Sequence, residues 1–291
     1  MRIHFLKSAW RDIILLQEGE EFAMIDAGLD DQFPMIRDYL DALNVRRLSF
    51  VLLTHFHVDH YGGIPDVLRT YEVQKVYLKE YSALESIDSY GRPATAESRA
   101  KETETYHLIE SLSRKRSELV PLAGVTSVPF GPYTIRLFNS GNTVRRIYED
   151  GDHPDTCGQY CFSENMNSLG AVLEANGAAV FFGGDLSDVP AAHPLADRMH
   201  YQIAKEIGRQ VDLYKAPHHG TVGTALPETL AILRPRIAVI TNGMEYLSQH
   251  SDVFERLRTA NPDVQFFLTE KQHVIADIAP DGSIRITQVP A

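Results

Sequence analysis

A short apolar run, Leu48-Ser49-Phe50-Val51-Leu52-Leu53, leads directly into Thr54-His55-Phe56-His57-Val58-Asp59-His60. The first stretch reads as a buried strand. The second gathers three imidazoles and a carboxylate in the spacing H-x-H-x-D-H. Imidazole and carboxylate suit zinc, manganese or iron and need no thiolate. Tyr61-Gly62-Gly63-Ile64-Pro65 follows, and a helical pattern resumes at Asp66. Strand, ligand-bearing loop and helix in succession place this chemistry at the C-terminal end of a strand, where open α/β sheets hold their sites.

The spacing bears on stoichiometry. In an extended loop alternate side chains share a face, so His55 and His57 can serve one cation. Asp59 and His60 are adjacent and need a turn to converge. The simplest arrangement is two metals, His55 and His57 on one, Asp59 and His60 on the other.

Composition narrows the class of protein. The chain has 291 residues with 44% hydrophobic content, enough for a sizeable core. Asp and Glu number 39 against 28 Lys and Arg, a net charge of −11. That balance disfavours a broad nucleic-acid surface or an anionic membrane surface as partner. The two cysteines, Cys157 and Cys161, are too few for a disulfide framework and read as reduced thiols. The N-terminal residues lack the apolar core of a signal peptide. No run approaches the ~20 apolar residues of a membrane span, so the expectation is a cytoplasmic protein.

Along the chain, strand signals at residues 2–6, 12–16 and 20–25 precede a helical pattern over 33–43. A charged, helix-prone stretch over about 95–118 reads as one long, largely exposed helical insertion. Residues 139–167 are irregular and polar, the kind of long loop that often borders a site. Strand pairs and helices alternate thereafter. With no linker or low-complexity segment, residues 1–291 read as one domain of α/β layers with two similar halves.

Two metals need more than four ligands. Asp185 follows Val180-Phe181-Phe182-Gly183-Gly184, at the end of another buried strand. A carboxylate there can bridge two cations ~3.5–4 Å apart. His218 and His219 follow the strand pattern at 213–216 and stand before Gly220. One can complete the second metal while the other faces substrate or supports the first. His250 lies ahead of a helical pattern and is a candidate for catalytic contact. His153 is a lesser candidate in the polar loop.

These residues resemble the metallo-β-lactamase superfamily. The likeness rests on Asp26-Ala27-Gly28, residues 54–60 with Gly62-Gly63, Gly184-Asp185 and His218-His219-Gly220. It implies a four-layer αββα sandwich with a dinuclear site at one edge. Within the superfamily the chain is similar to the hydrolase domain of the DNA-uptake protein ComEC and its stand-alone relatives. Asn165-Met166-Asn167-Ser168-Leu169, His218-His219-Gly220-Thr221 and His250 carry that likeness. Ala9-Trp10-Arg11-Asp12 stands where relatives carry Gly-Gln-Gly-Asp, so Asp12 alone matches. The third histidine of the first metal is missing; its place falls near Glu164, whose oxygen could serve, with Asn165, His153 or water as alternatives.

The function expected is hydrolysis by a hydroxide held between two divalent cations, zinc in the first instance, with manganese or iron compatible. Asp59 and Asp185 would orient it, and His218 or His219 would steady charge on the attacked group. A phosphodiester or nucleotide-like substrate, a small molecule or short oligonucleotide, leads. The alternatives are carboxylic ester, lactone or thioester hydrolysis at the same site, and a non-catalytic binding module on this fold.

Overall fold

The computed structural model describes residues 1–81, 94–141, 164–187, 198–221 and 224–291. Most of the 139–167 stretch, with His153, Cys157 and Cys161, lies outside these described residues. The first half runs β1 (Arg2–Phe5), β2 (Ile13–Glu18), β3 (Glu21–Ala27), α1 (Phe33–Ala42), β4 (Arg47–Leu52), α2 (Val58–Tyr61), α3 (Ile64–Thr70), β5 (Glu72–Leu78), α4 (Ala96–Arg116) and β6 (Glu118–Pro121). The second runs β7 (Ser127–Phe130), β8 (Tyr133–Phe138), β9 (Gly170–Ala175), β10 (Ala178–Phe182), α5 (Met199–Ile207), β11 (Leu213–Lys215), α6 (Pro227–Leu233), β12 (Ile237–Ile240), α7 (Met244–His250), α8 (Val253–Ala260) and β13 (Gln265–Leu268). Strands β14 (Gln272–Ile278) and β15 (Ile284–Pro290) close the chain.

Among the described residues the strands form two mixed sheets, in the orders β15-β14-β1-β2-β3-β4-β5-β6 and β13-β12-β11-β10-β9-β8-β7. The halves repeat one plan. An antiparallel pair (β2–β3, β9–β10) is followed by a parallel run (β3 to β6, β10 to β13). Parallel neighbours require crossovers, and helices supply them. The β9–β10 hairpin turns through Asn176 and Gly177, both at positive φ, as a two-residue turn demands.

Alternation along the strands explains the layering. Ile14, Leu16, Ala23 and Ile25 of β2 and β3 meet Leu173, Val180 and Phe182 of β9 and β10 in a core between the sheets. Their sequence neighbours Leu15 and Met24 face the other way, onto Ile36, Leu40 and Val67 of α1 and α3. Phe181 and Val172 likewise turn away from the central core, toward Ile203, Leu230 and Leu257 of α5, α6 and α8. Strands apolar on both faces need cover on both, and the result is helix, sheet, sheet, helix. Each fully buried Leu, Ile or Phe contributes about 1.5–3 kcal/mol of transfer free energy.

Several local expectations are revised. The segment after His57 is not an extended loop: Val58–Tyr61 forms one helical turn, which lets the adjacent Asp59 and His60 aim at the same region. His250 does stand ahead of a helix, α8, and is itself the last residue of α7. The helical insertion spans Ala96–Arg116 and is followed at once by the edge strand β6, which propensity did not suggest. No helix among the described residues is long and apolar enough to cross a membrane.

Candidate metal centre

The parallel strands of both sheets deliver their C-terminal ends to one edge. Asp26 closes β3, residues 54–60 follow β4, Asp185 follows β10, His218 and His219 follow β11, and Thr241 follows β12. Gly63 lets the helical turn sit close: a Cβ there would lie 2.4 Å from the Ala27 carbonyl oxygen. His218 and His219 both hold left-handed backbone, φ 46 and 53, unusual for consecutive non-glycine residues. That strain sends the two imidazoles to different sides of Asp185.

Two groups of ligand atoms share Asp185. In one, His60 Nε2 and His219 Nε2 lie 3.1 and 3.5 Å from Asp185 Oδ1, and His219 Nε2 lies 3.2 Å from Asp59 Oδ2. In the other, His55 Nε2 is 3.8 Å from Asp185 Oδ2 and 3.1 Å from His57 Nδ1. His218 Nε2 stands 3.9 Å from Asp185 Oδ2, on the side of the His55 group. Each oxygen of one carboxylate therefore faces its own set of imidazoles.

The far sides of three of these imidazoles, His60, His219 and His55, are tied down. His60 Nδ1 donates to Asp26 at 2.8 Å, and Asp26 is itself fixed by the Thr54 amide and hydroxyl at 2.8 and 2.7 Å. His219 Nδ1 lies 2.9 Å from the Thr241 hydroxyl, which donates to Asp12 at 2.7 Å. His55 Nδ1 meets Ser168 Oγ at 3.1 Å, and that oxygen also accepts the Asp185 amide at 2.8 Å. Hydrogen bonds at Nδ1 set the tautomer that leaves the Nε2 lone pair free for a cation. Lys215, fully buried, pairs with the buried Asp12 and donates to the Gly184 carbonyl at 3.1 Å.

These residues fit divalent cations. Three carboxyl groups, Asp12, Asp26 and Asp185, are buried here, and Asp59 stands beside them. His60 Nε2 and Asp185 Oδ1 are buried without an aligned hydrogen-bond partner among the described residues. Burial opposes charge on His60, yet the carboxylates of Asp185, Asp26 and Asp59 outweigh it and hold its pKa well above the ordinary histidine value. His219 is raised to about 9 in the same way: burial opposes the charge, and Asp185 and Asp12 prevail. Such a site draws positive charge, and a cation can take the place of these protons. Burial holds His55 well below the ordinary value, with His60 adding to the effect, and lowers His218 to about 4. Both are neutral ligands as they stand.

Of the residues expected at the site, His55, His57, Asp59, His60, Asp185 and His219 fall into these groups. His218 stands at their margin. Glu164 does not join them: it is buried, and its Oε1 accepts from the Phe56 amide at 3.3 Å. Asn165 places its Nδ2 3.3 Å from His218 Nε2. His250 is exposed, with its ring 4.9 Å from that of Tyr246, outside the ligand groups. The supporting roles of Asp26, Thr241, Ser168 and Lys215 are not announced by their sequence surroundings. Asp26 and Ser168 stand there only within segments that carry the family resemblance, with no supporting role attached.

Two facing mixed sheets with helices outside, and a histidine–aspartate cluster at one edge, define an αββα sandwich with a candidate two-cation centre. The chain belongs to the metallo-beta-lactamase superfamily, whose family model matches residues 11–241. It is 24% identical over 205 residues to the metallo-beta-lactamase fold-containing protein ST1585 of Sulfurisphaera tokodaii, a match covering 67% of this chain and 66% of that protein. Among solved structures, the metallo-beta-lactamase fold protein YhfI of Bacillus subtilis superposes with a TM-score of 0.52 at 12% identity, covering 98% of this chain and 99% of that one. Zinc-bound PqqB of Methylobacterium extorquens gives 0.54 at 13% identity, covering 92% and 98%. The structural likenesses establish the fold.

Proposed function

We propose that this chain is a dinuclear metal-dependent hydrolase acting on a phosphodiester or nucleotide-like substrate, and that it belongs with the ComEC-like branch of the superfamily. The observation that carries the reading is the division of Asp185: Oδ1 faces His60 and His219, Oδ2 faces His55 and His218. A carboxylate so placed is suited to bridging.

His55, His57 and Asp185 would hold one divalent cation, and Asp59, His60, Asp185 and His219 the other. When bound, such a pair acidifies water and neutralises charge on both oxygens of an in-line displacement at phosphorus. An all-nitrogen and oxygen donor set is compatible with zinc, manganese or iron. The rest is the work of the protein. Asp26, Ser168 and the Asp12–Thr241 pair keep the imidazoles aimed, so little reorganisation is needed at the moment of reaction. Asp59 and His218 keep some solvent contact, with side chains 28% and 15% exposed, and form the mouth of the centre. His218, neutral at physiological pH, is the imidazole placed to meet a substrate oxygen. His250 is assigned to substrate contact at a greater distance.

Metal content by mass spectrometry and a turnover panel test this reading. Two metals per chain and hydrolysis of bis-p-nitrophenyl phosphate are expected. Hydrolysis of lactones or nitrocefin in its place would overturn the phosphodiester assignment. Failure to retain any divalent cation after loading would overturn the hydrolase.

A further inference from the structure

Beside the metal centre lies a cleft of about 330 Å³, bordered by Trp10, Tyr246, His250, Glu245, Gln249 and Glu270. Its volume is in the range of small-ligand sites, roughly 300–1,000 Å³. Trp10, the only tryptophan of the chain, holds φ 66. A bulky aromatic residue in that region is an outlier, and such strain persists where surrounding structure enforces it, often at ligand sites. Here the enforcement is visible. The Trp10 amide donates to the Thr241 carbonyl at 2.8 Å, and the Thr241 side chain supports His219. The indole stands edge-on to His219 with centroids 6.3 Å apart, and packs edge-on against Tyr246 at 4.1 Å. Tyr246 in turn meets His250 at 4.9 Å. The Met244 amide donates to Glu270 Oε2 at 3.3 Å, which places that carboxylate at the rim.

We propose that this cleft binds the base of the substrate: a planar aromatic ring carrying an amino group, as in adenine. The inference rests on the nucleotide reading of the neighbouring centre and sharpens it. Aromatic walls offer a stacking surface, and every nucleobase has a face to stack. Glu245 and Glu270 are acceptor groups, suited to an exocyclic amine. The same two carboxylates repel phosphate, so the cleft and the cation site divide the ligand between them: base on the Tyr246 side of Trp10, phosphate on the His219 side.

Because Trp10 is unique, its fluorescence reports the cleft directly. The metal-free full chain is titrated with adenosine, with purine riboside, which lacks the amine, and with inorganic phosphate. Adenosine is expected to change Trp10 emission saturably, purine riboside to bind more weakly, and phosphate to have no effect. Tyr246→Ala should weaken adenosine by roughly 5- to 150-fold, the span of one base–aromatic stack. Trp10→Gly suits the local φ and should retain the fold, checked by circular dichroism, while calorimetry should show adenosine binding lost. No saturable change with adenosine, or equal binding of purine riboside, overturns the proposal. Nucleoside binding to the metal-free chain does not depend on turnover. A chain that cleaves bis-p-nitrophenyl phosphate but ignores adenosine refutes the cleft alone, and one that binds adenosine but cleaves no phosphodiester refutes the phosphodiester reading alone.

Discussion

Asp59 Oδ2 lies 3.2 Å from His219 Nε2, although the two residues are 160 positions apart. One follows β4 of the first sheet and the other follows β11 of the second. The group that would hold the second cation is therefore complete only when the two sheets pack face to face. Asp59→Ala should leave the fold intact, because Asp59 lies at the partly exposed mouth. It should lower metal content from two per chain to one. Turnover should fall by more than the ~10–100-fold typical of losing a supporting partner, because here a ligand itself is removed. Metal analysis and phosphodiester kinetics on the variant check both statements, and two retained metals with full turnover would refute the assignment.

Behind the same histidine, Lys215 and Asp12 form an ion pair with both side chains withdrawn from solvent. Removing one member of such a pair strands the other charge and costs about 3–5 kcal/mol. Asp12→Ala should show a loss of that size in denaturant unfolding, together with weaker metal binding through the loss of support at His219. Replacing both members, Asp12→Ala with Lys215→Met, should recover much of the stability, since no buried charge is left over. If the double variant were no more stable than Asp12→Ala, the stranded charge would not be the cause.

What was legible in the sequence follows the reach of local signals. Residues 54–60, Asp185 and the His218–His219 pair could be read because each sits at the end of an apolar run beside glycine or proline. The αββα layering was legible through the resemblance, and it agrees with strands apolar on both faces. The helical turn Val58–Tyr61 was not, since a single turn has no periodicity to detect. Nor was the support given by Thr241, Ser168 and Lys215, whose partners lie far away in sequence. Their roles come from sheet topology, which brings distant strand ends to one edge. The Glu164 expectation met a different limit. Its position matches, but its Oε1 is turned to the Phe56 amide, a contact that pattern reading does not show.

Gly63 offers a test of how tightly the ligand segment is seated. The nearest obstacle to a side chain there is backbone, the Ala27 carbonyl oxygen at 2.4 Å from an added Cβ. Backbone cannot rotate aside as a flexible side chain can. Gly63→Ala should destabilise the fold by about 1–3 kcal/mol, the usual cost of overpacking. It should also displace α2, and with it Asp59 and His60, so that metal affinity falls together with stability. Calorimetric metal titration at a temperature where the variant is fully folded separates the two effects. Unchanged metal affinity there would show that the clash is absorbed elsewhere.

On the opposite side of the second sheet, His200 is buried against two aromatic rings, 5.6 Å from Phe181 and 6.1 Å from Tyr214, nearly parallel to both. Neither ring nitrogen has a hydrogen-bond partner among the described residues. Burial lowers its pKa to about 3 from the ordinary 6.5. In the unfolded chain His200 takes up a proton below about pH 6.5, whereas in the folded chain it stays neutral until about pH 3. The unfolded state thus binds more protons over that window, and stability falls as pH drops through it. The full difference is on the order of 5 kcal/mol. His200→Phe keeps an aromatic ring in the stack and removes the titration. The variant should lose less stability than the parent between pH 6.5 and 4, seen as a lower acid-unfolding midpoint by circular dichroism. An identical midpoint would mean that other groups carry the acid sensitivity of the fold.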